Sequence, residues 1–159
     1  MGKVILICGK IGSGKTTYAK KLERQLNAVI ITQDELMYGL FGNEFYHNNR
    51  EQYEMYCAWV EEFVKRKAGE IAKAGATVIC ENGFWARSER EQLKKRYADM
   101  GVVCELHYMD ISEEQRIKNI QKRNEAILRK ECDESFMHEE DYDHYFEIPD
   151  ADEVDYFVK

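Results

Sequence analysis

Apolar positions along this chain fall into two rhythms. Short, nearly unbroken runs occur at Lys3–Cys8 (KVILIC), Ala28–Thr32 (AVIIT), Ala76–Cys80 (ATVIC), Val102–Met109 (VVCELHYM) and Glu153–Val158 (EVDYFV). The first, unbroken, predicts a strand buried on both faces, and the others are expected as further strands. Between them the apolar spacing becomes helical. Gly14 to about Gln25 carries Tyr18, Leu22 and Leu26 on one face, and Asp34–Phe41 is a short helix stopped by Gly42-Asn43. Glu51 to about Ala74 is a long helix ending near Gly75, and Ser88–Met100 is closed by Gly101. Ser112 with Gln115 reads as a capping box opening a helix that carries Ile117, Ile120, Ile127 and Leu128. Strands alternating with helices predict an α/β fold, a parallel sheet covered on both faces, with ligands at the C-terminal strand ends.

The chain has 159 residues, which suits one domain, so 1–159 is expected to be a single unit. One proline and 10 glycines argue against a disordered or fibrous chain. The apolar run Val4–Cys8 is far below the ~20 residues of a membrane span and lacks a signal-peptide pattern, so no membrane association and a cytoplasmic location are expected. Five cysteines without a CxxC pair, with Cys8, Cys80 and Cys104 inside apolar runs, read as reduced, buried residues. The scattered histidines offer no zinc site. The formal charge is −7, but residues 131–159 hold 12 acids against one base. That stretch repels polyphosphates and disfavours extended nucleic acid as a partner, while leaving room for a short anionic ligand on the more basic remainder.

One motif is specific. Gly9-Lys10-Ile11-Gly12-Ser13-Gly14-Lys15-Thr16 matches GxxxxGK[ST] in full, directly after the first strand and directly before a helix. Glycines let successive backbone N–H groups turn inward, and the positive end of the following helix adds attraction for phosphates. Lys15 would supply charge to the β- and γ-phosphates, the Thr16 hydroxyl would ligate Mg²⁺, and Thr17 would reach the α-phosphate.

A phosphate loop does not name a reaction. No Asn-Lys-x-Asp guanine reader is present, and the late strand ends in Met109-Asp110. A small chain of this kind is expected to move the γ-phosphoryl to a small acceptor, which needs a carboxylate at the acceptor hydroxyl. Asp34, after the second strand, is the candidate, and the alternative that it caps the helix beginning at Glu35 is compatible with that role. Glu81, at the end of the third strand, is placed to order Mg²⁺ or bind the acceptor. Arg90, beyond Trp85 and Arg87, could contact an anionic acceptor group. Arg116 and Arg123 lie seven residues apart on one face of the helix from Ser112, bordering the Ile120 and Ile127 stripe. From there both could bring charge to the transferring group within a lid spanning 112–148.

These residues resemble the small ATP-binding phosphate-loop kinases of the AAA-like family that includes polynucleotide 5′-hydroxyl kinase, zeta toxin and chloramphenicol phosphotransferase. The resemblance rests on GKIGSGKTT at 9–17, TQDEL at 32–36 with LFG at 40–42, ATVICENGFWARSER at 76–90 and ISEEQRIKNIQKRN at 111–124. It implies a three-layer P-loop fold with a five-stranded parallel sheet in the order 2-3-1-4-5, an ATP donor with Mg²⁺, Asp34 as acceptor-side base and Arg123 as a lid arginine. It also implies a second lid arginine where this chain has Asn119, a charge that Arg116 could replace. Where members usually have Asp, this chain has Glu81. The arginine members often carry just after the acceptor-side acid is missing, which weakens an anionic acceptor. The expectation is therefore a kinase acting on a hydroxyl of a small molecule. The alternatives are a polynucleotide or nucleotide kinase and a non-catalytic ATP-binding module. Phe146-Glu147-Ile148-Pro149 is expected to flank the adenine.

Overall fold

A computed structural model describes residues 2–42, 50–129 and 143–159. Elements run in the order β1 (Lys3–Cys8), α1 (Lys15–Leu26), β2 (Val29–Ile31), α2 (Gln33–Phe41), α3 (Arg50–Lys73), β3 (Val78–Gly83), α4 (Arg87–Asp99), β4 (Val103–Met109), α5 (Glu113–Leu128) and β5 (Tyr156–Val158). All five strands pair in parallel, in the order β2-β3-β1-β4-β5. The fold is thus the three-layer α/β arrangement anticipated from the sequence.

Strand alternation explains the layers. Val4, Leu6 and Cys8 of β1 face one side, where Ala68 and Ala72 of α3 and Leu93 and Tyr97 of α4 pack on Val78, Cys80 and Leu106. Ile5 and Ile7 face the other, against Ala19 and Leu22 of α1 together with Ile79 and Met109. The central strand is buried from Val4 to Cys8, so its unbroken apolar run follows from having a helical layer on each side. Burial pushes the thiols of Cys8, Cys80 and Cys104 up to about 12, which leaves them unreactive. Cys132 lies outside the described residues.

Several boundaries differ from the sequence expectation, each for a physical reason. The last strand begins at Tyr156, because Glu153 is drawn into an ion pair with Arg90 and Asp155 closes onto Leu106. β3 runs on to Gly83, and its pairing with β1 slips: Leu6 faces Cys80 but Cys8 faces Gly83. Two residues, Glu81 and Asn82, therefore oppose one, and such a bulge re-aims side chains at a strand end. On α5 only half of the capping box forms. Ser112 Oγ accepts from Gln115 N at 3.2 Å, while the Gln115 amide donates to Asn119. Of the apolar stripe expected on α5, Ile120 is buried whereas Leu128 is 72% exposed.

Candidate nucleotide and phosphoryl-transfer site

The loop between β1 and α1 has the form its glycines require. Gly12 and Gly14 take φ of 78° and 87°, a region that β-carbons disfavour. Gly9 is needed for another reason: a Cβ there would stand 2.6 Å from Ser13 Oγ and 2.9 Å from Met109 Cβ. Lys15 folds back across the loop, its amine donating to the carbonyls of Gly9 (2.9 Å) and Lys10 (2.8 Å). Burial holds the Lys15 ammonium below the ordinary lysine range. The charges of Glu81 and Asp34 oppose that shift and the charge of Arg123 adds to it.

The far wall comes from the β3 bulge. Glu81 Oε1 accepts from the Thr16 hydroxyl at 2.7 Å, joining the two residues expected to serve the metal. Burial raises the Glu81 carboxyl above its ordinary value, the Thr16 hydrogen bond and Lys15 pull it back, and Asp34 adds to the rise. Asn82 Oδ1 accepts from Gln33 N (3.4 Å), and the Gln33 side chain donates to Cys57 O (3.2 Å), which seats the start of α2 between β3 and α3. The cap of α2 is Thr32, whose hydroxyl accepts from Glu35 N at 3.1 Å. Asp34 is therefore inside the helix, exposed, and not its cap.

The helix α5 lies directly on the phosphate loop. Arg116, expected as a second lid arginine, is instead 3% exposed, held by Glu113 and Asp143 and donating to Ile11 O at 3.2 Å. Its charge is matched by two carboxylates, so it anchors α5 to the loop. Asp143 also reaches Lys10 at 3.3 Å. Asn119, where the family resemblance placed a missing arginine, donates from Nδ2 to Gly12 O at 2.9 Å. It acts as a neutral clamp on the loop carbonyl. Arg123 sits one turn beyond, partly buried. Residues 130–142 of the expected lid lie outside the described residues.

The expectation for Arg90 is corrected. Its side chain is 1% exposed, and Nε and Nη2 donate to Glu153 at 2.9 and 3.2 Å. Nη1 donates to the carbonyls of Phe84, Trp85 and Glu147. All three guanidinium nitrogens are engaged inside the protein and the side chain is closed to solvent, so it is a buried tie rather than an acceptor contact. Phe146 is half-buried, packed against the core beside Tyr108 with ring centroids 6.3 Å apart. An open groove of about 450 Å³ between β2 and α2, lined by Val29, Ile31, Leu36 and Leu40 among others, holds none of the expected catalytic side chains.

Sequence reasoning missed the internal pairing of Asp143, Glu147 and Glu153. All three lie in the acidic residues 131–159, where composition showed charge but no partner.

The loop's donors fit a nucleotide tail. Ser13 Oγ is buried with no hydrogen-bond partner among the described residues. Thr16 and Glu81 offer the hard oxygen atoms that Mg²⁺ takes. Among the described residues, no group of three His, Cys, Asp or Glu could hold a metal unaided. No described helix is long and apolar enough to cross a membrane.

A phosphate loop on the central strand of a 2-3-1-4-5 parallel sheet, with an acid from the neighbouring strand on its threonine, defines the P-loop kinase class of fold. A family model described as an AAA domain matches residues 4–141, and the chain belongs to that family. Among solved structures, a gluconokinase from Sinorhizobium meliloti 1021 is similar at 18% identity and a TM-score of 0.61, covering 98% of this chain and 80% of that one. The Mycobacterium tuberculosis APS kinase CysC, in complex with AMPPNP and APS, is similar at 19% identity and a TM-score of 0.56, covering 83% and 76%. The Pnkp1/Rnl/Hen1 RNA repair complex contains a chain similar at 20% identity and a TM-score of 0.68, covering 87% of this chain and 40% of that one. Among curated proteins, none matches.

Proposed function

We propose that the protein is an ATP-dependent kinase transferring the γ-phosphoryl of Mg·ATP to a hydroxyl of a small molecule. The observation that carries this reading is the phosphate loop at the end of the central strand, with Lys15 folded across it and Glu81 of the neighbouring strand on its Thr16 hydroxyl. The amides of 9–16 and the Lys15 ammonium hold the triphosphate, and Thr17 extends that contact along the first turn of α1. Mg²⁺, when bound between Thr16, Glu81 and the phosphates, would neutralise the charge that develops on them.

The acceptor oxygen attacks the γ-phosphorus while the bond from that phosphorus to the β,γ-bridging oxygen breaks, and the bond's electron pair leaves with ADP. The acceptor proton passes to the Asp34 carboxylate and then to water. Arg123 offsets negative charge on the moving group, and Arg116 with Asn119 keeps α5 on the loop. The similarity of the neighbouring kinase folds supports the assignment, as does the freedom of Asp34 from capping.

The test is ADP release across a panel of sugars, nucleosides, antibiotics and oligonucleotides. Lys15→Ala should abolish turnover and the heat of Mg·ATP binding. Asp34→Asn should keep that heat and lower transfer about 10²-fold or more. Undiminished transfer by Asp34→Asn removes Asp34 from the chemistry. Labelling of oligonucleotide 5′ ends, falling steeply with salt, would favour a polynucleotide kinase instead.

A further inference from the structure

A chain of contacts joins the metal-side threonine to the acceptor-side acid through the end of β3. Thr16 donates to Glu81 at 2.7 Å, and Glu81 is followed by Asn82. Asn82 Oδ1 accepts from the backbone N–H of Gln33 at 3.4 Å, and Gln33 is followed by Asp34. Two hydrogen bonds and two peptide links thus span the two halves of the candidate site. Glu81 and Asn82 are the two residues of the β3 bulge, so adjacent positions serve both walls. The backbone beyond them is fixed. Gly83 O accepts from Gly9 N of the phosphate loop at 3.3 Å. Phe84, 2% exposed, holds a φ of 47°, a conformation costly for a residue with a β-carbon and kept only where the surroundings impose it. On the other side, Gln33 is the first residue of α2, and its N–H is one of the donors that a helix leaves without an internal partner. Thr32 takes the N–H of Glu35, so Asn82 supplies a second cap, from a different element. The packing beneath is slight: β2 has three residues at the edge of the sheet, and of the nine residues of α2 Met37 is buried while Asp34 is exposed.

We propose that Asn82 and Gln33 are positioning residues for phosphoryl transfer. Their hydrogen bond sets where Asp34 stands relative to the Thr16–Glu81 pair, and so whether a hydroxyl held by Asp34 lies in line with the γ-phosphorus. This rests on the kinase reading above. Neither residue touches nucleotide or acceptor; both act through Asp34, which takes a proton only from a hydroxyl within hydrogen-bond reach. A misplacement of about 1 Å at a reacting centre lowers transfer about 10²-fold. The Gln33 side chain, donating to Cys57 O at 3.2 Å, braces the same turn against α3.

Two single variants and their combination decide it. Asn82→Leu keeps the side-chain size and removes the accepting oxygen. Gln33→Pro removes the donated N–H and leaves Asn82 and Glu81 as they are. Proline suits the first position of a helix, and Thr32 before it is already extended at φ −129° and ψ 148°, so α2 itself should not suffer. ADP release is followed with the best acceptor of the panel above, or with water where none exceeds it, and Mg·AMPPNP binding is followed by calorimetry. Each single variant should lower kcat about tenfold to 10²-fold and leave the Kd of Mg·AMPPNP within about twofold. The double variant should lose no more than the larger single loss, because both changes break one hydrogen bond. A kcat within about twofold of wild type in Gln33→Pro overturns the proposal, and so do losses that multiply in the double variant. A loss of Mg·AMPPNP affinity in Asn82→Leu that accounts for its whole defect also overturns it, because Asn82 would then act through Glu81. If Asn82→Leu does not fold, Gln33→Pro alone decides. No ADP release by the wild type, or no heat with Mg·AMPPNP, sinks the kinase reading and this proposal with it, whereas undiminished kcat in the variants of an active enzyme sinks this proposal alone.

Discussion

Replacing Arg90 with Met separates a structural arginine from a substrate-binding one. Arg90 is 1% exposed and Glu153 is 8% exposed, so the substitution leaves a buried carboxylate without its partner. Three carbonyls, those of Phe84, Trp85 and Glu147, lose a donor in the same step. Breaking a buried pair on one side costs about 3–5 kcal/mol, against a total stability of about 5–15 kcal/mol for a domain. At about 2–4 °C per kcal/mol for a chain of this size, Tm should fall by about 6–20 °C. Urea unfolding of Arg90→Met and of Arg90→Met/Glu153→Met measures the effect. The double variant should recover a substantial part of the loss, because neither charge is then stranded. Below its melting range, Arg90→Met should bind Mg·ATP as the wild type does. A loss under about 1 kcal/mol, or a double variant no more stable than the single, would refute the account of Arg90 as a buried tie.

Three further outcomes follow from the geometry. The Arg90 hydrogen bonds hold the Glu153 carboxyl below its ordinary range, so its stabilisation is complete at neutral pH and is lost as pH falls through the lowered value. Glu153→Gln should therefore flatten the acid limb of a stability–pH curve, and an unchanged limb would place the titration elsewhere. Glu81 has the opposite sign: burial raises its carboxyl, so ionised Glu81 opposes folding above its ordinary value of 4.5. Glu81→Gln should raise Tm of the nucleotide-free protein at pH 7 to 8, with a gain that shrinks toward pH 4.5, while weakening Mg²⁺-dependent ATP binding; a gain independent of pH would count against the burial argument. At Gly12, a Cβ would lie 2.5 Å from Ile120 Cγ1 and 3.1 Å from Arg116 O, at a φ of +78°. Gly12→Ala should cost about 1–3 kcal/mol and lower Mg·ATP affinity in calorimetry, and Ile120→Ala in that background should restore only part, because the backbone strain remains.

The strands, the helices and the phosphate loop could be recognised before any coordinates, since each depends on local regularities. A strand buried on both faces must be apolar throughout, as β1 is, and a helix needs its periodic stripe. The loop needs its glycines at fixed offsets, as Gly12 and Gly14 confirm through their positive φ. The positions of Asp34 just after β2 and Glu81 near the end of β3 could be read as well, because strand ends have set places in a parallel sheet.

The partners of charged groups were settled only by folding. An arginine in a sequence carries the same charge whether it meets substrate, solvent or a buried acid. Arg90 and Arg116 were read as functional, yet Glu153 and Asp143, 63 and 27 residues away along the chain, claim them. Nothing in the spacing of the acidic stretch marks those acids as partners, because ion pairing depends on distance in space and on desolvation, neither of which is periodic in the chain. The bulge that turns Glu81 toward Thr16, and the choice of Thr32 over Asp34 as the cap of α2, likewise arise from how β3 pairs with β1 and where α2 docks. Sequence alone determined which elements form and where the phosphate loop lies; tertiary packing decided which charges remain free to act.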